Sequence, residues 1–144
     1  MSRQSAIHVM FDTNILISAI LNSHGTPNIA WMKASEPPYT LVLCDQILDE
    51  LRRIFNYKFP SRIPDMERSL SVAHYDLVIL TTEDAVVPDE GKIRDVNDRP
   101  ILRAARKANV DIFVTGDKDF LDSSVTVPKI VTAAQFVQAC LSVQ

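Results

Sequence analysis

"HVMFDTNILISAIL", residues 8 to 21, decides how this chain folds. His8 to Phe11 is a run of strand length, and Ile7 extends it to Ile7–Phe11. From Thr13 to Leu21 the apolar residues Ile15, Leu16, Ile17, Ala19, Ile20 and Leu21 predict a helix packed beside that strand. Asp12 stands at the seam. An acid at a helix start accepts hydrogen bonds from backbone N–H groups that lack helical partners, so capping is the plain reading of Asp12. Thr13 or Asn14 would serve the same end, which leaves this carboxylate available for another task.

The alternation continues along the chain. "NSHGTP" is a loop, and Pro27 opens a short helix to Ala34. "SEPPYT" is a turn before the apolar strand Leu41–Cys44. Asp45 reads as the N-cap of a helix to about Asn56. After the break "KFPSRIP", Asp65 to about His74 is helical and Leu77–Leu80 is a strand. "PDEGKIRDVNDRP" is a polar loop rich in turn residues. Asp98–Ala108 is a helix, Ile112–Thr115 a strand, and "GDKDFLD" a turn into a short helix, with Gly116 allowing the tight turn. A short strand follows around Lys129–Val131, and Thr132 caps a final helix, Ala133–Leu141. Short apolar strands alternating with helices argue for an α/β fold, a mostly parallel sheet with helices on both faces. Ligands of such sheets bind beyond the carboxyl ends of the strands. Asp12, Asp45 and Gly116-Asp117 all follow predicted strand ends.

Bulk properties narrow the field. The chain has 144 residues, enough for one domain, 1–144, with one sizeable core. No apolar run approaches the roughly 20 residues needed to span a bilayer, and Met1 to Ile7 lacks a signal-peptide pattern. Cys44 and Cys140 show no metal or redox spacing and read as reduced core thiols of a cytoplasmic protein. A net charge of −3 excludes a protein that coats nucleic acid by charge alone. Three scattered glycines build neither a P-loop nor a dinucleotide fingerprint. His8, His24 and His74 are isolated, so zinc spacing is absent.

Four acids stand out by position. In the helix from Asp45, the residues Ile47, Leu48, Leu51, Ile54 and Phe55 form one apolar stripe. Stepping about 100° per residue puts Glu50 on the edge of that stripe and Asp49 on the opposite, wet side. Glu50 can therefore lean into the fold, although snorkelling or pairing with Arg53 is the plain alternative. Asp98 opens "DRPILRAARKA" and points to the face of Ile101, Ala104, Ala105 and Ala108; a cap is again the plain alternative. Asp95 lies three residues earlier, as a turn residue or a supporting acid. Asp117 follows the strand "DIFVTG", with Asp119 two residues on. Asp12, Glu50, Asp98 and Asp117 thus lie beside the apolar surfaces of four elements and can converge beyond one sheet edge. Clustered carboxylates repel, and burying them unpaired is costly. A cation among them removes that cost, and carboxylates with water suit Mg²⁺ or Mn²⁺.

"FDTNILISAIL", "ILDELRRI", "DVNDRPILRAA" and "FVTGDKDF", in this order, resemble the PIN-domain nucleases, with most likeness to the VapC-like toxin subgroup. The likeness runs from Ile7 to about Leu141. It implies a three-layer α/β/α sandwich around a mostly parallel sheet, and divalent-metal-dependent cleavage of RNA. It implies that the family's four acids fall on Asp12, Glu50, Asp98 and Asp117. Asp119 is then a helper, and Thr13, Asn14 and Thr115 match the family's small polar positions. It further implies a small antitoxin partner, and homodimerisation is common in the family.

On that reading Asp12, Asp98 and Asp117 hold Mg²⁺ or Mn²⁺, and Glu50 is a ligand or orients the attacking water. Thr13, Asn14, Asp95, Thr115 and Asp119 support them. Arg52, Arg53, Arg94, Arg99 and Arg103 are candidate contacts to the RNA backbone, against the alternative of a solvated surface. Two other classes compete. A strand-end aspartate is the nucleophile of haloacid-dehalogenase-type phosphatases, but those usually carry a second Asp two residues on, where this chain has Asn14. A PIN-like module that binds RNA or protein without cutting is the other, and the presence of all four acids argues against it.

Overall fold

A computed structural model describes residues 6–79 and 86–142. Five strands, β1 (Ile7–Phe11), β2 (Tyr39–Cys44), β3 (Tyr75–Val78), β4 (Ile112–Val114) and β5 (Lys129–Val131), form one parallel sheet in the order β3-β2-β1-β4-β5. Seven α-helices among the described residues connect and cover it. They are α1 (Thr13–Leu21), α2 (Thr26–Ala34), α3 (Asp45–Lys58), α4 (Ile63–Val72), α5 (Arg99–Lys107), α6 (Lys118–Leu121) and α7 (Ala133–Ser142). None is long and apolar enough to cross a membrane.

The strand order explains the layers. The chain steps outward from β1 to β2 to β3, then returns past β1 to β4 and on to β5. Right-handed crossovers put helices of the two runs on opposite faces. Side-chain alternation agrees. Phe11 of β1 meets Trp31 of α2 and Phe136 of α7 edge-on, with ring centroids 5.7 and 6.3 Å away. Phe113 of β4 pairs in register with Met10, so it faces the other way, onto Phe120 of α6 at 4.9 Å. Val9 to Phe11 and Leu41 to Cys44 are fully buried, as a strand covered on both faces must be. Between β1 and β4 the chain changes direction, and there α1 and α6 leave toward opposite layers.

Four sequence expectations shift. The third strand is Tyr75–Val78 rather than Leu77–Leu80, and Leu80 lies outside the described residues. Its length follows its neighbour β2: Cys44 pairs with Val78, and at Asp45 the β2 chain turns into α3, so the ladder ends. Leu77 is consequently half exposed on an edge strand. The N-cap of α3 is Cys44, and Asp45 is a first-turn acid whose carboxylate accepts from the Gln46 N–H. The helix expected from Asp65 begins at Ile63, after a 3₁₀ turn at Pro60–Arg62. Gly116 adopts no left-handed conformation, and an added Cβ would stand 3.9 Å from Ile15, so that turn does not require glycine. Thr132 does cap α7: its hydroxyl accepts from the Gln135 N–H, and the Gln135 side chain accepts from the Thr132 N–H.

The polar loop before α5 is tied down by charge. Glu90 is buried, and Arg103 donates to both of its carboxylate oxygens at 2.6 Å. Arg106 donates to Asp89 at 2.6 Å, and Arg99 to the Ile93 carbonyl at 2.9 Å. The arginines hold both Glu90 and Asp89 below their ordinary carboxylate range. Arg103, a candidate contact to the RNA backbone in the sequence, thus spends its Nε and one terminal nitrogen on Glu90, which leaves the remaining N–H groups of its guanidinium free for another partner. Glu90→Gln removes the charge while keeping the shape. Amide hydrogen exchange should then speed up across residues 86–98, with the β1 and β2 amides still protected. Unchanged exchange in 86–98 would show that the pair does not anchor the loop.

Candidate active site

The carboxyl ends of β1 and β4 diverge into the crevice where parallel sheets place their ligands. Asp12 is the residue after β1, and its backbone N–H still bonds the Val114 carbonyl of β4 at 2.9 Å. Only 7% of its surface is exposed. One carboxylate oxygen accepts from the Thr13 N–H at 2.8 Å, and the other from the fully buried Thr115 hydroxyl at 2.7 Å. Thr115 also accepts from the Asp117 N–H at 3.0 Å, which joins the ends of both strands through one hydroxyl. Burial pushes the Asp12 carboxyl up from its ordinary value. The bonds from Thr115 and Thr13 oppose that, and the charges of Asp117 and Glu50 add to it.

Glu50 leans inward as its place on the stripe edge of α3 predicts, while Asp49 is exposed. The Thr13 hydroxyl donates to Glu50 at 3.1 Å and so links α1 to α3 beside Asp12. Asp98 occupies the N-cap position of α5 yet makes no capping bond with its side chain. Capping does not account for it. Burial pushes its carboxyl up to about 7, helped by the charges of Asp117 and Asp95 and a hydrogen bond to Asp117, with Asp12 adding less. Asp117 caps the short helix α6 by accepting from the Asp119 N–H at 2.9 Å.

Asp95, Asp98 and Asp119 each offer an oxygen within 4.8 Å of the others. The tightest grouping thus includes Asp95 and Asp119, which the sequence marks only as helpers. Asp95 reaches it because its carboxylate accepts from the Asn97 N–H and caps the 3₁₀ turn Val96–Asp98. Six carboxylates therefore surround one crevice: Asp12, Glu50, Asp95, Asp98, Asp117 and Asp119. Among the described residues one ion pair touches them, Arg94 to Asp119 at 2.6 Å. An all-oxygen, strongly acidic set, in which the Asp12 and Asp98 carboxyls are pushed up, has the donor chemistry of a hard divalent cation.

Other expected residues lie elsewhere. Asn14 is exposed in the first turn of α1. Arg52 pairs with Glu67 of α4 at 3.4 Å, and Arg99 holds the Ile93 carbonyl. Arg53 is exposed and makes no ion pair among the described residues. Sequence reading missed Asp89 and Glu90. The stripe of Arg99, Arg103 and Arg106 along α5 was the signal that two acids must come to meet it.

A family model described as PIN domain matches residues 8–119. The chain belongs to the PIN-domain family, whose members are nucleases. Among solved structures it is similar to VapBC2 from Rickettsia felis, bound to a DNA fragment from their promoter. That match has 19% identity and a TM-score of 0.60, and covers 82% of this chain and 94% of that one. It is also similar to PAE2754 from Pyrobaculum aerophilum, with 14% identity, a TM-score of 0.63, and 96% and 94% of the two chains covered. At these identities the likeness is one of fold. No curated protein matches.

Two outcomes follow from this electrostatics. A carboxyl raised in the folded state stabilises the fold below its unfolded value and loses that contribution as pH rises through the folded value. For Asp98 the window runs from 3.8 to about 7. The metal-free chain should therefore melt at a lower temperature at pH 8 than at pH 5.5. Asp98→Asn should flatten that slope, and Mg²⁺ or Mn²⁺ should restore the melting temperature at pH 8. An unchanged slope in the variant would remove Asp98 from the strained set. Loss of the Asp89 and Glu90 pairs acts below their ordinary values of 3.8 and 4.5, and so below the pH 5.5 to 8 range of this comparison. Separately, Thr115→Val keeps the side-chain shape but leaves a buried Asp12 oxygen without its donor. Urea unfolding without metal should show a loss of about 1–3 kcal/mol.

Proposed function

We propose that the chain is a divalent-metal-dependent ribonuclease that hydrolyses RNA phosphodiester bonds. We further propose that it is the toxin of a toxin–antitoxin pair, acting as a single domain in the cytoplasm. The observation that carries the nuclease reading is the convergence of acids from β1, α3, α5 and the β4–α6 turn at the point where the sheet topology reverses. Membership of the PIN-domain family supports it. The likeness to VapBC2 supports an antitoxin partner.

Asp12, Asp98 and Asp117, with Asp95 and Asp119 beside them, would hold Mg²⁺ or Mn²⁺. Such a cation supplies charge for the phosphoryl oxygens and lowers the pKa of water. The chain's own side chains do the rest. Thr115 and the Thr13 N–H fix both oxygens of Asp12, so it cannot rotate away from the crevice. Thr13 fixes Glu50, whose half-buried carboxylate orients the attacking water and accepts its proton. Arg94 already lies against Asp119, within reach of a phosphate brought to the same crevice.

The test is cleavage of a labelled RNA pool with Mg²⁺, with Mn²⁺ and with EDTA, beside Asp12→Asn at matched purity. Cutting should need the metal and fall by about 100-fold or more in the variant, exceeding what loss of a supporting group costs. Equal cutting by both proteins would place the activity outside this site.

A further inference from the structure

One flank of α3 carries a feature that starts at the acidic crevice and runs outward beyond it. Gln46, Glu50, Arg53 and Tyr57 recur at i, i+4, i+7 and i+11, one straight stripe that flanks the buried Ile47, Leu51 and Phe55. Asp45, Gln46, Asp49, Glu50 and Arg53 line one shallow depression, and Asp49, Arg52, Arg53, Asn56 and Tyr57 line another. Asp49 and Arg53 belong to both, so the two form one continuous track that begins at Glu50. Tyr57 is 84% exposed, more than any other large apolar or aromatic side chain among the described residues. At about 1.5 Å of rise per residue it stands roughly 10 Å along the helix from Glu50.

An uncovered aromatic ring after an arginine that makes no ion pair among the described residues, on a track leading out of an acidic crevice, has the chemistry of a site for a nucleic-acid strand. Arginine binds the backbone and the ring stacks an unpaired base, whatever its identity. We propose that Tyr57 is a positioning residue, which stacks an unpaired base of the substrate strand as Arg53 holds the adjacent phosphate. This setting of the strand fixes which bond lies at the acids. The inference rests on the ribonuclease reading for its substrate and on the geometry of α3 for the residue.

The experiment measures binding of a labelled oligouridylate to the full chain in Ca²⁺ by fluorescence anisotropy. Native chain, Tyr57→Phe, Tyr57→Ala and Arg53→Ala are compared, and cleavage by the native chain is followed separately in Mn²⁺. Tyr57→Ala should weaken binding by about 5- to 100-fold, the range of one lost base stack. Tyr57→Phe should stay within about twofold, since the ring rather than the hydroxyl stacks. Arg53→Ala should weaken binding and flatten its salt dependence. Native cleavage with equal binding by the native chain and Tyr57→Ala would overturn the stacking role alone. Tyr57-dependent binding without cleavage would uphold it and overturn the nuclease reading. No binding by the native chain would overturn it, and would point to a protein partner on this face.

Discussion

Mutual repulsion among carboxylates gathered where two strands part is the constraint on which this molecule depends. Asp12 has no escape from it. Its backbone is locked into the β1–β4 ladder, and both of its oxygens are bound by threonines. Asp98 faces Asp117 and Asp95 from the start of α5, and its carboxyl retains its proton to about 7. A structure selected for stability alone would put an apolar residue or a lysine into such a crevice. What is present instead is a rigid frame of hydroxyl and backbone donors that supports the acids and neutralises few of them. That frame is preorganisation: side chains held where a cation needs them, with the electrostatic cost carried by the fold until one arrives.

The frame is built from both layers. Threonines from α1 and from the end of β4 hold Asp12 and Glu50, while the Glu90–Arg103 pair fastens the loop that delivers Asp95 and Asp98. The acids of one centre thus depend on hydrogen bonds in one half of the molecule and on ion pairs in the other. Acidification affects the two supports in different ranges. Protonating Asp98 relieves repulsion well above the pH at which Asp89 and Glu90 would release their arginines.

Much of this was legible in the residues. The strand–helix alternation gave β1, α1, β4 and β5 with nearly their observed bounds, because apolar runs between turn signals carry that information locally. The inward lean of Glu50 followed from 100° steps along α3. What the sequence hid was pairing across space. The register of β3 is imposed by β2, so the apolar residues Leu77 to Leu80 misplaced the strand. Arg103 looked like a surface cation because its partner, Glu90, sits in a loop whose path no periodicity describes. Asp95 and Asp119 looked secondary because only the capping turns bring their oxygens beside Asp98.

The strand order has a consequence for how the protein is made. β1 lies at the centre of the sheet, yet its neighbour β4 is separated from it by most of the chain: Asp12 and Thr115 are 103 residues apart. A chain emerging from the ribosome exposes Asp12 first and must wait for Thr115 and Asp117. Any fragment ending before β4 has Asp12 and Glu50 but no crevice to bring them to. The acidic centre therefore comes into being only after β4 has been made, and a product truncated before that strand lacks it.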